Sequence, residues 1–106
     1  MLALLLAMPA TDQYCELYIS VQQRCHPGFP LANVLITATN EAGQLLAVDV
    51  TNLQGSRRIV LPGNDEFSIH VVTDGYRPET LKIKNLCLKS APLLLFYLYF
   101  TGMESC

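Results

Sequence analysis

Tryptophan, histidine and charged residues, which often form binding and catalytic sites, are scarce in this sequence. Its 106 residues include no tryptophan, two histidines and only 15% charged residues. The 7 Lys and Arg residues are outnumbered by 9 Asp and Glu residues, and the net charge of −2 gives no electrostatic basis for nucleic-acid binding. No apolar run reaches the roughly 18 residues that a membrane-spanning helix needs. An apolar fraction of 51% is too high for a disordered chain, and the length suits one domain.

Catalytic and metal-binding patterns are also missing. No two cysteines have the C-x-x-C spacing of zinc ribbons and thioredoxin-like sites. The histidines, His26 and His70, are too few to supply the several convergent ligands of a metal site. A nucleophile pair of Cys25 with either histidine has no identifiable acid to orient it. We therefore expect no enzyme activity, no catalytic residue, no metal ligand and no cofactor.

The sequence has four cysteines, an even number that favours disulfide bonds and an oxidising compartment. The alternative is buried free thiols, because cysteine is among the most buried residue types. If the strands alternate in direction, Cys15 and Cys87 share one end of the domain, and Cys25 and Cys106 share the other. Ten extended residues, about 33 Å, separate Cys15 from Cys25, which is too far for a disulfide. We therefore predict the pairs Cys15–Cys87 and Cys25–Cys106.

Residues 1–10 have no charged side chain and contain the apolar run 2–7, followed by Met8, Pro9 and Ala10. This resembles the apolar core and exit of a secretory signal, although the segment is short and lacks a basic start. The alternative is an apolar segment that packs on the domain. The predicted organisation is a leader or apolar segment over residues 1–10 and a single domain over residues 13–106.

Alternation of apolar and polar residues dominates the rest of the chain. It predicts seven short strands, over residues 15–22, 34–38, 46–50, 57–61, 67–72, 81–84 and 93–100. Clusters of Gly, Pro, Asn and Asp separate these stretches. Seven short strands with turn signals between them predict an all-β sandwich.

Glycine and proline mark the turns between these strands. Two of them, Gly28 and Pro30, interrupt the chain after the first strand. Four more glycines stand where the chain must reverse and where a positive φ is favoured: Gly43, Gly55, Gly63 and Gly75. Tyr76 is expected to pack its ring on the end of the sandwich and to hydrogen-bond to the backbone, as in a tyrosine corner.

The last predicted strand is apolar on both faces, whereas a sandwich strand normally shows one face to water. Two interpretations remain open. The second face is covered by another segment, for instance residues 1–7, or it contacts a protein partner or a second copy of the chain. The predicted contact residues are Leu94, Phe96, Tyr97, Tyr99 and Phe100.

Several short motifs resemble carboxypeptidase regulatory-like domains. Residues 28–37, GFPLANVLIT, resemble the G-x-P-L-x-G/N-V opening of that family, and residues 51–55, TNLQG, look like its T-x-x-x-G turn. The segments 61–63 and 67–71 resemble its LPGxYxLxV step, and 74–78, DGYRP, its GYxP corner. The resemblance covers about residues 28–84 and implies a transthyretin-like, seven-stranded Greek-key β-sandwich. Residues 64–66 lengthen one turn relative to the family, and the cysteines of the first strand are a further departure.

Two functions from different classes agree with these observations. The first is a non-catalytic module, structural or protein-binding, that is secreted, periplasmic or on the cell surface. The alternative is a sandwich that binds glycan or Ca²⁺ through the loops 26–30, 52–55 and 74–78. The motifs of the resembling family are specific to a fold and not to an activity.

Overall fold

The computed structural model describes residues 14–25, 29–62, 66–84 and 92–101. In these ranges the chain forms strands and no helix. The strands are β1 (Tyr14–Gln23), β2 (Leu35–Asn40), β3 (Leu45–Val50), β4 (Ser56–Pro62), β5 (Glu66–Val72), β6 (Glu79–Lys84) and β7 (Leu93–Leu98). All seven predicted strands are present, so the prediction of an all-β sandwich is confirmed. The predicted leader or apolar segment over residues 1–10 lies outside the described residues.

The strands form two sheets, one in the order β4-β1-β7 and one in the order β3-β2-β5-β6. β1 is antiparallel to β4 and parallel to β7, and all pairs of the second sheet are antiparallel. Strands that alternate in direction along the chain produce this pattern. β1 and β7 therefore both start at one end of the sandwich, here called the Tyr14 end, and both finish at the other, the Arg24 end.

The core lies between the sheets, where alternate residues of each strand meet. In β1, for example, Leu17, Ile19 and Val21 are fully buried, while Tyr18 on the opposite face is exposed. This is the expected outcome of the two-residue period of a strand that has one face in the core. The buried apolar residues are Cys15, Leu17, Ile19, Val21, Leu31, Val34, Ile36, Ala38, Ile59, Leu61, Phe67, Ile69, Val71, Ile83, Leu94, Phe96 and Leu98.

β3 departs from strict alternation. Its register with β2 shifts between Ala38 and Thr39. As a result, the neighbouring residues Leu46 and Ala47 both pack against the core. Such an irregularity changes which side chains point inward.

The segment 51–55 contacts both the loop that precedes β2 and the strand β1. The buried Thr51 hydroxyl donates to the Leu31 carbonyl at 2.6 Å and accepts from the Val34 N–H at 3.0 Å. Gly55 has a φ of +73°, and a Cβ there would lie 2.6 Å from the Val21 carbonyl oxygen. Only glycine therefore fits this position without displacing backbone. The T-x-x-x-G pattern thus corresponds to a hydroxyl bridge followed by a close backbone contact.

The other predicted turn residues have varied environments. Gly43 and Gly75 also have a positive φ, and so does Asn33, which occupies the G/N position of the G-x-P-L-x-G/N-V motif. Pro30 forms an isolated antiparallel bridge with Gln22. Gly28 and Gly63 lie outside the described residues.

Candidate interaction surface

The described residues contain no cluster of side chains suited to metal binding. His70 lies on the outer face of β5 with its Nδ1 2.9 Å from Thr80 Oγ1 and its Nε2 3.4 Å from Thr39 Oγ1. Two hydroxyls therefore flank the imidazole. Within residues 14–25, 29–62, 66–84 and 92–101, no three His, Cys, Asp or Glu side chains come together as metal ligands. His26 lies outside these ranges.

Neither Cys15 nor Cys25 is a free thiol. Cys15 is buried at the Tyr14 end of β1, and Cys25 is half-buried just beyond its other end. The other two predicted disulfide residues, Cys87 and Cys106, lie outside the described residues. The pairing therefore remains a prediction.

The two faces of β7 have different environments, although both are apolar. Leu94 and Phe96 are each only 6% exposed and belong to the core. They therefore cannot form the contact surface that the sequence predicted, because contact would require the sheets to separate. The outer face instead presents Leu93 and Leu95, which are 61% and 48% exposed.

Exposed apolar side chains of β1 and β4 continue this outer face. Tyr18 of β1 lies opposite Leu93 in the parallel ladder, and Val60 of β4 lies opposite Glu16 of β1. We call the apolar group Tyr18, Val60, Leu93 and Leu95 the β7 face. An open groove of about 720 Å³ lies against it, lined by Tyr18, Ile19, Asn52, Ser56, Arg57, Arg58 and Leu93.

One ion pair lies within this apolar surface. Arg58 Nε donates to a Glu16 carboxylate oxygen, and the Tyr18 hydroxyl donates to the same oxygen at 3.0 Å. The hydrogen bond from Arg58, followed by the one from Tyr18, lowers the pKa of Glu16 below its ordinary value. The hydrogen bond to Glu16 raises the pKa of Arg58. The β7 face therefore carries a positive and a negative group side by side.

The remaining predicted aromatic residues lie at the Arg24 end. Tyr76 and Phe100 stack with their ring centroids 4.5 Å apart. The Tyr76 hydroxyl accepts a hydrogen bond from Gln23 Nε2 at 2.7 Å. Its partner is therefore a side chain and not the backbone group that a tyrosine corner implies. Tyr97 and Tyr99 are half-buried, and both lie beneath the Arg24 guanidinium.

A second exposed apolar row crosses the other sheet, and the sequence did not reveal it. Leu35 of β2 lies opposite Val50 of β3 on one side and Val72 of β5 on the other, and all three are exposed. The row is visible only once the register of three strands is known.

Of the loops predicted for glycan or Ca²⁺ binding, 52–55 and 74–78 both lie at the Arg24 end, and residues 26–28 are outside the described ranges.

No helix with the length and apolar character of a membrane span occurs in the described ranges. No family model and no curated protein matches the sequence. The narrower likeness to carboxypeptidase regulatory-like domains therefore rests on the motifs alone.

Solved structures share the architecture. The Bacillus anthracis TIE protein matches 83% of this chain with 19% identity and a TM-score of 0.68. A double mutant of the shaft pilin SpaA from Lactobacillus rhamnosus GG matches 88% of it with 11% identity and a TM-score of 0.64. The chain covers 17% of the first of these proteins and 48% of the second. At these identities the likeness establishes the fold: the chain is a seven-stranded β-sandwich similar to a part of each of these two proteins.

Proposed function

We propose that this chain is a non-catalytic β-sandwich module that acts outside the cytoplasm through protein contacts, and that it associates with a second copy of itself through the β7 face. The observation that carries the proposal is the outward exposure of Leu93 and Leu95 beside Tyr18 and Val60. Contiguous exposed apolar side chains on a small domain are typical of interaction sites. Aromatic anchors such as Tyr18 are enriched where contacts contribute most to binding.

The charges on the β7 face favour a second copy as the partner. Glu16 and Arg58 stand next to each other among the apolar side chains. A surface with both signs of charge is complementary to itself under a two-fold rotation, which places Glu16 of one copy near Arg58 of the other. The apolar side chains then pack against one another at the centre of the contact.

The cysteines support a location in an oxidising compartment. Cys15 and Cys25 are not free thiols, and disulfide bonds persist mainly outside the cytoplasm. The Tyr18 N–H donates to the Pro92 carbonyl at 3.0 Å, which places the start of β7 at the same end as Cys15. The Arg24 N–H donates to the Leu98 carbonyl at 2.8 Å, which places the finish of β7 beside Cys25. These contacts support the pairs Cys15–Cys87 and Cys25–Cys106.

Intact mass before and after reduction, followed by peptide mapping, tests the disulfides. Two disulfides give a rise of about 4 Da on reduction, and each is expected to stabilise the fold by roughly 2–4 kcal/mol. A map that joined Cys25 to Cys87 would contradict the pairing and, with it, the shared ends inferred from β1 and β7.

The comparisons and the motifs support the same class of function. A shaft pilin is among the proteins of similar fold, and this favours a structural or interaction role over catalysis. Membership of the carboxypeptidase regulatory-like group is a narrower proposal. It is supported by the positive φ of Gly55 in the turn at 51–55 and of Gly75 in the segment 74–78.

Sedimentation equilibrium over a hundredfold range of concentration tests the contact surface. We expect a mass that rises with concentration in the wild type and stays monomeric in L93S/L95S. The matched control, L35S/V72S, removes two exposed apolar side chains from the opposite face and should associate like the wild type. A wild-type mass that stays monomeric throughout, or an equal loss in both double variants, would refute the β7 face as the contact.

A further inference from the structure

Two arginines converge on one tyrosine ring at the Arg24 end of the sandwich. The guanidinium carbon of Arg77 lies 4.8 Å from the centroid of the Tyr99 ring, and that of Arg24 lies 5.7 Å from the same centroid. Arg24 is also 5.7 Å from the Tyr97 ring, and its Nε donates to the Tyr99 hydroxyl at 3.2 Å. Because both guanidinium groups lie within 5.7 Å of one ring centre, they are no further apart than about twice that distance.

The backbone fixes both arginines against the end of β7. Arg24 follows the last residue of β1, and its N–H donates to the Leu98 carbonyl at 2.8 Å. Arg77 follows the turn between β5 and β6, and its N–H donates to the Tyr99 carbonyl at 2.9 Å. Two segments from different sheets therefore present their cations at the same place, and a backbone hydrogen bond holds each of them to the end of β7.

Neither arginine has a carboxylate partner in the described ranges. The three ion pairs found there are Arg57–Asp49, Arg58–Glu16 and Lys82–Glu66. Asp74 is exposed at the same end of the sandwich but forms no ion pair with Arg77. Stacking on a ring uses the flat face of a guanidinium group and leaves its edge N–H groups available. Two like charges thus share one ring, and among the described residues the only side-chain hydrogen bond that either guanidinium donates is the one from Arg24 to Tyr99.

We infer that this pair of arginines binds an extended acidic peptide segment through two of its carboxylates. A guanidinium fork matches a carboxylate with two parallel N–H···O bonds. Alternate side chains of an extended strand project from the same face about 7 Å apart, a spacing within the greatest separation of the two guanidinium groups. Arg24 and Arg77 can therefore each bind one carboxylate. Phe100, 39% exposed and next to Tyr99, adds an apolar contact for the residues between them.

This site is separate from the β7 face. The two surfaces share no residue, because the β7 face uses Leu93 and Leu95, whereas the arginines lie over Tyr97 and Tyr99 further along the chain. The L93S/L95S variant, which tests self-association, leaves both arginines in place. The two proposals can therefore fail independently.

Fluorescence anisotropy of a labelled ten-residue peptide, in which Glu alternates with Ser, tests the site on the full chain. A peptide with Gln at each Glu position is the ligand control. The test variant is R24Q/R77Q, and the matched protein control is K82Q/K84Q, which removes the same charge from β6. Both pairs are exposed, and far-UV circular dichroism verifies folding of each variant. If the double variant does not fold, R24Q and R77Q are measured singly.

We expect the wild type to bind the Glu peptide with an affinity that falls as NaCl is added, and not to bind the Gln peptide. R24Q/R77Q should weaken binding about five- to thirtyfold, and K82Q/K84Q should change it less than about twofold. Equal binding of the two peptides, or an equal loss in the two protein variants, would overturn the proposal. Binding of heparin without binding of the Glu peptide would also overturn it, in favour of an acidic polysaccharide.

Discussion

The Gln23 side-chain amide donates a 2.7 Å hydrogen bond to the hydroxyl of Tyr76, 53 positions away in the chain. Gln23 ends β1 in one sheet, and Tyr76 lies in the turn that joins two strands of the other. Gln23 is only 6% exposed, so its amide has little access to water. This bond therefore ties the two sheets together at the Arg24 end.

Removing the Tyr76 hydroxyl should destabilise the fold measurably. Tyr76→Phe keeps the ring stacked on Phe100 but leaves the buried Gln23 amide without its acceptor. We expect the free energy of unfolding to fall by about 1–2 kcal/mol in urea denaturation. Tyr18→Phe, which removes an exposed hydroxyl bonded to Glu16, should cost less than about half of that. Equal losses in the two variants would contradict the structural role of the Gln23–Tyr76 bond.

The Thr51 hydroxyl should contribute more than an ordinary side-chain hydrogen bond. Thr51→Val keeps the shape but removes both the donor to Leu31 and the acceptor for Val34, in a residue that is 2% exposed. We expect a loss of about 2–3 kcal/mol, because two buried backbone groups lose their partner. Thr80→Val, on the exposed outer face of β6, is the matched control and should change the stability by about 0.5 kcal/mol or less. A Thr51→Val chain as stable as the wild type would refute the bridge.

Gly43 and Gly55 allow the free-energy cost of backbone strain to be measured separately from the cost of a steric clash. Gly43 and Gly55 both have a positive φ, but a Cβ at Gly43 meets nothing within 4 Å, whereas one at Gly55 meets the Val21 carbonyl oxygen at 2.6 Å. Gly43→Ala should therefore cost about 1 kcal/mol from backbone strain alone. Gly55→Ala should cost about 3 kcal/mol or more, because the backbone must also move. Similar melting temperatures for the two variants would mean that the 51–55 turn does not press on β1 as described.

The ion pair of Glu16 and Arg58 should give a pH-dependent contribution to stability. Since the pKa of Glu16 is lowered in the folded state, the ionised carboxylate stabilises the fold at neutral pH. That contribution should decline as the pH falls below the ordinary glutamate value of about 4.3, and vanish once Glu16 is protonated in both states. The difference in urea midpoint between the wild type and Glu16→Gln should therefore shrink on acidification. A difference that grew below pH 4, or that did not fall with added salt at pH 7, would contradict this account.

The alternation of apolar and polar residues was enough to locate the strands, but it did not show for every strand which face is buried. In β1, polar residues occupy every second position, so the buried face was evident. In β7, both faces are apolar, and only pairing with β1 shows that Leu94 and Phe96 point inward while Leu93 and Leu95 point outward. Two of the five predicted contact residues, Leu94 and Phe96, consequently lie in the core.

Relationships between distant strands could not be predicted from the sequence. The exposed row of Leu35, Val50 and Val72 depends on the register of three strands. The meeting of Arg24 and Arg77 on Tyr99 depends on both sheets ending at the same place. No local pattern encodes either of these, because alternation and turn residues report only on their immediate neighbours.

The parallel pairing of β1 and β7 has a mechanical consequence. A pull on Tyr14 in one direction and on Thr101 in the other acts along the two paired strands, because β1 begins at one end of the sandwich and β7 finishes at the opposite end. Such a load slides one strand past the other, so the six residue pairs of the β1–β7 ladder resist together instead of opening one after another. We therefore expect the sandwich to resist tension along the β1 and β7 strands far better than tension across them.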